Sequence, residues 1–490
     1  MRNRVQLIAY ADRLGGTLKG TLDLLNGPFA NLFGGVHLLP FFDPIDGADA
    51  GFDPIDHCAV DARLGSWDDL RSITAETDVM ADLIVNHISS RSPQFLDYLA
   101  KGSASEFDGL FLTFDNVFPD GATEQDLQAI YRPRPTSPFT PLTLADETKR
   151  NFWTTFTPDQ IDIDVTHPRG HEYLDRILAS FANAGIASVR LDAVGYAIKS
   201  AGKSCFMMPE TFAFIDEISA RAKQLGLEVL VEVHSYCRRQ IEIARQVDWV
   251  YDFALPPLVL HSIFNGTAAA LKAWIEVRPE NAVTVLDTHD GIGVIDIGAD
   301  ATDRATNPGL ITDDELDALV ETIHQKSNGE SLLATGEAAE NLDLYQVNCT
   351  FYDALGRDDL SYLLCRAIQF FVPGIPHVYY VGLLAGINDM DLLNKSQVGR
   401  DINRHYYTRA EVERELERPV VKRLLDLIRL RNSHAAFAGA FEMTASADSV
   451  LELHWRNGDE FARLNIDFKT RAYRLEYSRD GSAAEFSLEP

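Results

Sequence analysis

The sequence predicts an α/β fold: a (β/α)8 TIM barrel with two inserted loop-rich domains and a small C-terminal antiparallel β domain. Three stretches carry that prediction, SVRLDAV around Asp192, VLVEVHS around Glu232 and TVLDTHD around Asp290. Each reads as a short apolar strand that ends in a carboxylate. Continuous apolar runs of this length mark strands covered on both faces, as in a parallel sheet wrapped by helices. Acids at the ends of several such strands point into one mouth, and in a barrel of eight parallel strands that mouth is the C-terminal face, where catalytic groups meet. A fourth run, VMADLIVNH, delivers Asn86 and His87 to the same place.

Taken in order, residues 1–86 form the first part of the barrel. RNRVQLIAYADRLGG after Met1 keeps charges inside its apolar stretch and has no small-residue cleavage site, so it reads as the first strand and not as a signal peptide. Residues 87–166 turn irregular (FDGLFLTFDNVFPDGATEQD) and are expected to form an inserted domain that roofs the mouth. The barrel continues over 167–291. A second insertion spans 292–356, where DDELDALVETIHQK predicts a helix over 313–326 ahead of the loop NLDLYQVN. Barrel character returns over 357–435 with AIQFFVPGIPHVYYVG. From 436 to 490, short segments such as VLELHWRN and RAYRLEYS, separated by GD and DG turns, predict the antiparallel domain. Internal repeats and low-complexity linkers are absent from the sequence.

Composition narrows the function. The 490 residues are 46% hydrophobic, ample for a core, yet no apolar run reaches the roughly 18 residues that would span a membrane. The cytoplasm is the default expectation. Asp and Glu number 73 against 44 Lys and Arg, a formal net charge of −29, and no basic cluster marks a nucleic-acid surface. No GxxxxGK phosphate loop supports nucleotide-driven phosphoryl transfer. Five widely spaced cysteines (58, 205, 237, 349 and 365) without a CxxC suggest reduced thiols, neither a disulfide framework nor a zinc site.

Asp192 and Glu232 suit cleavage of an acetal, which needs two carboxyl groups in different protonation states. Arg190, two residues from Asp192 on the same strand face, is expected to keep Asp192 ionised as a nucleophile. Glu232, between the apolar Val231 and Val233, is expected to act as proton donor and then base. A retaining mechanism places such a pair about 5 Å apart. Asp290 would hold sugar hydroxyls more tightly as the ring flattens towards an oxocarbenium ion. His87 and His289 offer a donor and an acceptor each for glucose hydroxyls.

DLIVNH (82–87), QIDIDV (160–165), GIASVRLDAV (185–194), EVLVEVH (228–234) and VTVLDTHD (283–290) resemble the ordered sequence regions of the α-amylase superfamily of retaining glycoside hydrolases and transglycosidases. ADAGFDPIDH (48–57), IYRPRP (130–135), LDAVGY (191–196), YDFALPP (251–257), LDTHDGIGVIDIG (286–298), NLDLYQVN (341–348) and GRDINRHYY (399–407) are closer still to its sucrose phosphorylase family, from residue 1 to about 435. The resemblance implies the same three catalytic roles, with Asp49, Phe52, Phe156 and Arg400 completing the glucose pocket. It implies that Tyr196 and His234 face the acceptor. It further implies two loops that rearrange together between fructose and phosphate, one holding Arg134 and the other Asp343, Leu344, Tyr345 and Gln346. Arg134, between Pro133 and Pro135, is stiffened by φ-restricted neighbours, and its guanidinium suits phosphate oxygens. By this resemblance the partners are small molecules, sucrose and inorganic phosphate, and a homodimer is in character. Neither a cofactor nor a metal is expected, since no Asp-rich loop resembles a calcium site. Phosphorylases of sucrose 6'-phosphate, glucosylglycerol and glucosylglycerate share these acids. They remain open alternatives, beside a hydrolase of the same fold and, least, a catalytically dead sugar binder. The C-terminal domain is shorter than the family leads one to expect.

Overall fold

Short apolar strands alternating with amphipathic helices close this chain into a barrel. The computed structural model describes residues 1–46, 49–133, 137–300, 304–339 (336–339 by backbone alone) and 346–489. Its eight barrel strands are β1 (Gln6–Ala9), β2 (Gly35–Leu38), β3 (Asp78–Ile84), β4 (Ser188–Asp192), β5 (Glu228–Val231), β6 (Trp249–Asp252), β7 (Ala282–Thr284) and β8 (Ile375–Tyr379). They pair in sequence order, all parallel, and β8 closes on β1.

Eight principal helices wrap the sheet: α1 (Leu18–Asn26), α2 (Trp67–Thr74), α3 (Pro168–Asn183), α4 (Pro209–Gln224), α5 (Cys237–Ala244), α6 (Leu255–Asn265), α7 (Asp359–Phe371) and α8 (Pro419–Ser433). Their starts are written locally. Thr17, Ser66 and Asp358 accept backbone N–H groups at the starts of α1, α2 and α7, and proline occupies the first turn of α3, α4, α6 and α8. Each device satisfies or removes an orphan donor.

Ion pairs are buried both inside the barrel and between its strands and the surrounding helices. Arg190 pairs with Asp82 at 2.6 Å, and the register sets the two side by side on β4 and β3. Arg366 of α7 pairs with Asp287 at 2.6 Å, and Arg278 with Asp252 at 2.6 Å. Each of these six side chains is at most 3% exposed, so removing one partner would strand a charge in low dielectric.

Two excursions leave the barrel at its C-terminal mouth. After β3, His87–Ser89 pairs antiparallel with Gln160–Asp162, and Phe139–Thr143 with Lys149–Trp153. A separate apolar cluster of Leu112, Phe118, Ile130, Trp153 and Cys205 consolidates that region. After β7, Ile292–Gly293 pairs with Gln346–Val347, and the helix expected over 313–326 is found at Asp313–Lys326, opened by the Thr312–Glu315 capping box.

The chain ends in a five-stranded antiparallel sheet of β9 (Ala440–Met443), β10 (Val450–Asn457), β11 (Glu460–Asp467), β12 (Ala472–Arg479) and β13 (Ser482–Glu485). Its packing partner is the outer face of the barrel. Trp455 donates its indole N–H to the Phe371 carbonyl at the end of α7 (2.6 Å), and Lys272 reaches the carbonyl of Ser446 at 3.0 Å.

Candidate active site

Each acid stands where its strand stops. β4 ends on Asp192 itself, and Ala193 follows at φ +56°, a left-handed conformation costly for a non-glycine residue, which turns the backbone abruptly. Glu232 is the first residue beyond β5, and Asp290 lies in the turn beyond β7. His87 opens the strand that follows β3. One pocket collects Asp49, Phe52, His87, Phe156, Asp192, Tyr196, Glu232, His234, His289, Asp290, Gln346 and Arg400. Arg190 lies beneath it, buried. Arg134, Asp343, Leu344 and Tyr345 fall outside the described residues, although Pro133 and Gln346, at the edges of their loops, both line the pocket.

Arg190 organises the reacting pair. Its Nη1 bonds Asp82 at 2.6 Å and Asp192 at 2.9 Å, while its Nη2 stands 3.7 Å from Glu232. The same guanidinium thus gathers both candidate catalytic carboxyls. Asp82 is in turn held by His37 at 3.1 Å; burial works against its charge, yet His37 and Arg190 bring its carboxyl down to about 2. The sequence led us to expect Asp192 to be held ionised by Arg190. Instead, burial raises the Asp192 carboxyl, and Glu232, Asp82 and Asp290 add to the rise against Arg190's pull. Three neighbouring carboxylates and desolvation outweigh one shared cation, so the Asp192 carboxyl is held above the usual carboxylate range.

Asp290 behaves oppositely. Arg400 sits 2.8 Å from it and Arg404 3.8 Å. Burial alone would raise its carboxyl, but Arg400 first, then His289 and Arg404, hold it well below the usual carboxylate range. Asp290 is therefore a permanent anion, suited to a ring acquiring positive charge. Arg400 and Arg404 also reach Asp49, at 3.4 and 3.6 Å, so two arginines tie both acids to one rim.

Phe52, Phe156, His87 and His289 form an uncharged wall of the pocket. Phe52 stacks on His289 with ring centres 4.8 Å apart, and Phe156 packs edge-on to His87 at 5.3 Å and to Tyr196 at 5.1 Å. His87 donates to the Phe52 carbonyl at 2.9 Å. Burial pushes His87 down and His289 down to about 3, so both stay uncharged; the His87 N–H is spent on the Phe52 carbonyl, whereas neutral His289 offers one donor and one acceptor nitrogen.

Sequence reasoning did not single out Asp82, Arg404, Asp296 or Lys199. Asp82 carried a usable signal, a charge in the middle of the apolar run VMADLIV. The others lie in loops and meet their partners only through the fold. Lys199 places its ammonium 2.8 Å from Asp162 and 2.9 Å from the Asn86 side-chain oxygen, against the Tyr196 carbonyl and 5.5 Å over Trp153. A cation thus already occupies that oxygen cluster. Among the described residues, one group, Glu232, His234 and Asp290, has ligand atoms close enough to share a metal ion. Two of its members are matched within the protein, Asp290 by Arg400 and His234 by Asp296.

The α-amylase catalytic-domain model matches residues 12–245. A sucrose phosphorylase of Agrobacterium vitis is 60% identical over 469 residues, 96% of each chain, and one of Bifidobacterium adolescentis is 55% identical over 470 residues, 96% of this chain and 93% of that one. Among solved structures, the sucrose 6F-phosphate phosphorylase of Thermoanaerobacter thermosaccharolyticum superposes with a TM-score of 0.91 at 38% identity, over 99% of this chain and 98% of its own. The likeness thus extends beyond residue 435, where sequence motifs alone had ended it, and takes in the C-terminal sheet. By this likeness over nearly its whole length, the chain belongs to the sucrose phosphorylase family of the α-amylase superfamily.

Proposed function

We propose that this chain is a sucrose phosphorylase, converting sucrose and inorganic phosphate into α-D-glucose 1-phosphate and D-fructose by a retaining double displacement. The observation that carries the reaction class is the guanidinium of Arg190, which joins Asp192 to Glu232 beneath a pocket whose opposite rim is the permanent anion Asp290. The choice of phosphate as acceptor is supported by the two relatives most similar in sequence that are described above.

In the first step the Asp192 carboxylate attacks the anomeric carbon, the bond to the fructosyl oxygen breaks, and Glu232 gives that oxygen its proton. In this step Glu232 is the proton donor, and Asp192 attacks as a carboxylate hydrogen-bonded to Arg190. Asp290 stabilises the positive charge on the ring between the two carboxyls. In the second step a phosphate oxygen attacks the same carbon from the vacated side, the bond to Asp192 breaks, and Glu232 recovers a proton from the phosphate. Two inversions retain the α configuration. His87, His289, Phe52, Phe156, Asp49 and Arg400 bind the glucosyl unit, with Tyr196, His234, Gln346 and the loops of Arg134 and of Asp343, Leu344 and Tyr345 on the acceptor side. The excursions over 87–166 and 292–356 form the two inserted domains that roof this chemistry.

Family likeness also supports a cytoplasmic homodimer without a cofactor, metal or nucleic-acid partner, and no helix among the described residues is long and apolar enough to cross a membrane. Product analysis with sucrose, with and without inorganic phosphate, tests the reading. Glucose 1-phosphate should dominate when phosphate is present. Free glucose under both conditions would establish a hydrolase, and no turnover of sucrose would establish a phosphorylase of another glucoside.

A further inference from the structure

Asp296 sits in the short turn Ile295–Ile297, fully buried, behind the wall of the pocket. Its Oδ1 accepts the Ser235 backbone N–H at 3.1 Å and the Gln240 side-chain amide at 3.0 Å, and its Oδ2 accepts Nδ1–H of His234 at 2.9 Å. The first two donors are neutral, so His234 is its ion-pair partner among the described residues. The imidazole is clamped flat on Phe253, centres 3.8 Å apart and planes within 18°. Its other nitrogen, Nε2, points to the pocket, 3.8 Å from Glu232 Oε1. A side chain on Gly293 would place its Cβ 2.6 Å from Asp296 Oδ2 and 2.9 Å from His234 Nδ1, so the backbone leaves room for this contact and nothing larger.

An acid/base carboxyl serves the leaving or entering oxygen, so a group beside Glu232 stands where the acceptor meets it; the ligand atoms of Glu232, His234 and Asp290 all lie within 4.8 Å of one another. We propose that Asp296 is a positioning residue that holds His234 as an imidazolium facing the acceptor, where its Nε2–H recognises an incoming oxyanion and steadies Glu232 while Glu232 is ionised. The proposal rests on the reading above for the identity of that oxyanion, inorganic phosphate. The three pocket histidines divide accordingly. Burial keeps His87 and His289 neutral on the sugar side; burial would lower His234 too, but Asp296 first, then Glu232 and Asp290, raise it. Among the described residues, the titratable groups around it are Glu232 at the end of β5, Asp290 in the turn after β7, Asp296 in its own turn and Cys237 at the start of α5, while the Phe253 ring, just beyond β6, is uncharged. A cation here also answers a physical difficulty, since a chain of net charge −29 must draw an anion into a pocket of carboxylates.

Asp296→Asn keeps the size of the side chain and removes its charge. In the ¹⁵N-labelled full chain, the His234 ring signals should titrate at lower pH in the variant than in the wild type. A raised imidazole is charged below its folded value and loses that charge as pH rises through it, so the preference for phosphorolysis over hydrolysis should fade at lower pH in the variant. Both reactions should slow, but the KM for phosphate should rise roughly ten- to hundredfold, the effect of one charge-assisted hydrogen bond. Asp296→Asn combined with His234→Gln should be no worse than His234→Gln alone. An unchanged His234 titration, equal losses in phosphorolysis and hydrolysis, or additive effects in the double variant would each overturn the proposal. Should Asp296→Asn fail to fold, His234→Gln decides alone: an unchanged ratio of phosphorolysis to hydrolysis rejects the anion contact. A wild type that makes no glucose 1-phosphate would defeat the activity reading, while the ring titration would still decide whether Asp296 charges His234.

Discussion

The proposed mechanism makes Asp192 the nucleophile, and on that reading Asp192→Ala should lower sucrose turnover on the order of 10⁴-fold or more. Glu232→Gln separates proton transfer from the rest. With sucrose, kcat should fall by about 10²–10⁴-fold, whereas α-glucosyl fluoride, whose leaving group needs no proton, should be spared most of that loss in initial rates. Arg134→Ala should weaken phosphate use more than it slows hydrolysis; equal losses would remove Arg134 from the acceptor site. That Asp192, Glu232 and Asp290 would meet in one pocket was legible because a charge at the end of an apolar strand has few structural reasons to be there. Asp296 and Arg404 were not, because each acquires meaning only from a side chain far away in sequence: His234 for the first, Asp49 and Asp290 for the second.

At the level of elements, hydrophobic pattern and capping set most of what is seen. DDELDALVETIHQK gives its helix from Asp313 to Lys326 because Thr312 and Glu315 close a capping box at its start. The run Ala282–Leu286 yields a ladder of only three residues, Ala282–Thr284; Val285 and Leu286 stay buried after the ladder stops, since pairing depends on where β6 and β8 end and not on apolarity. Charges inside the barrel wall are the part that pattern hides. Asp252 ends β6, accepts the Leu255 N–H at the start of α6, and binds the Trp274 indole at 2.8 Å and Arg278 at 2.6 Å. Asp252→Ala strands Arg278 and should cost about 3–5 kcal/mol, read as a lowered thermal midpoint.

For the molecule as a whole, buried histidines set the acid limit of stability. Burial pushes His57 down to about 4 and His289 to about 3, lowers His87, and drives His377 well below its ordinary value. Each binds its proton more readily when unfolded, so the stability it contributes is present above about pH 6.5 and is lost as pH falls towards its folded value. Asp82 adds a second limb, present above about pH 4 and lost as pH falls towards 2. Thermal midpoints should therefore drop from pH 7 to pH 5, each of these histidines contributing up to about 1.4 kcal/mol per pH unit. Asp296 raises His234 against burial, so His234 opposes this trend: the stability it contributes is present below about pH 6.5 and is lost as pH rises through its folded value. The net charge of −29 acts at longer range. Added neutral salt, which shortens the Debye length to about 8 Å at physiological strength, should lower the KM for phosphate while leaving that for uncharged sucrose nearly constant.

Lys199 gives Asp162 and Asn86 a counter-ion that is tethered by the chain itself. An ammonium on a side chain has no off-rate. Neither dilution nor a chelator can remove it, and no fluctuation in the ionic supply of the surroundings can change how Asp162 and Asn86 are held together. The arrangement is settled once, when the chain folds.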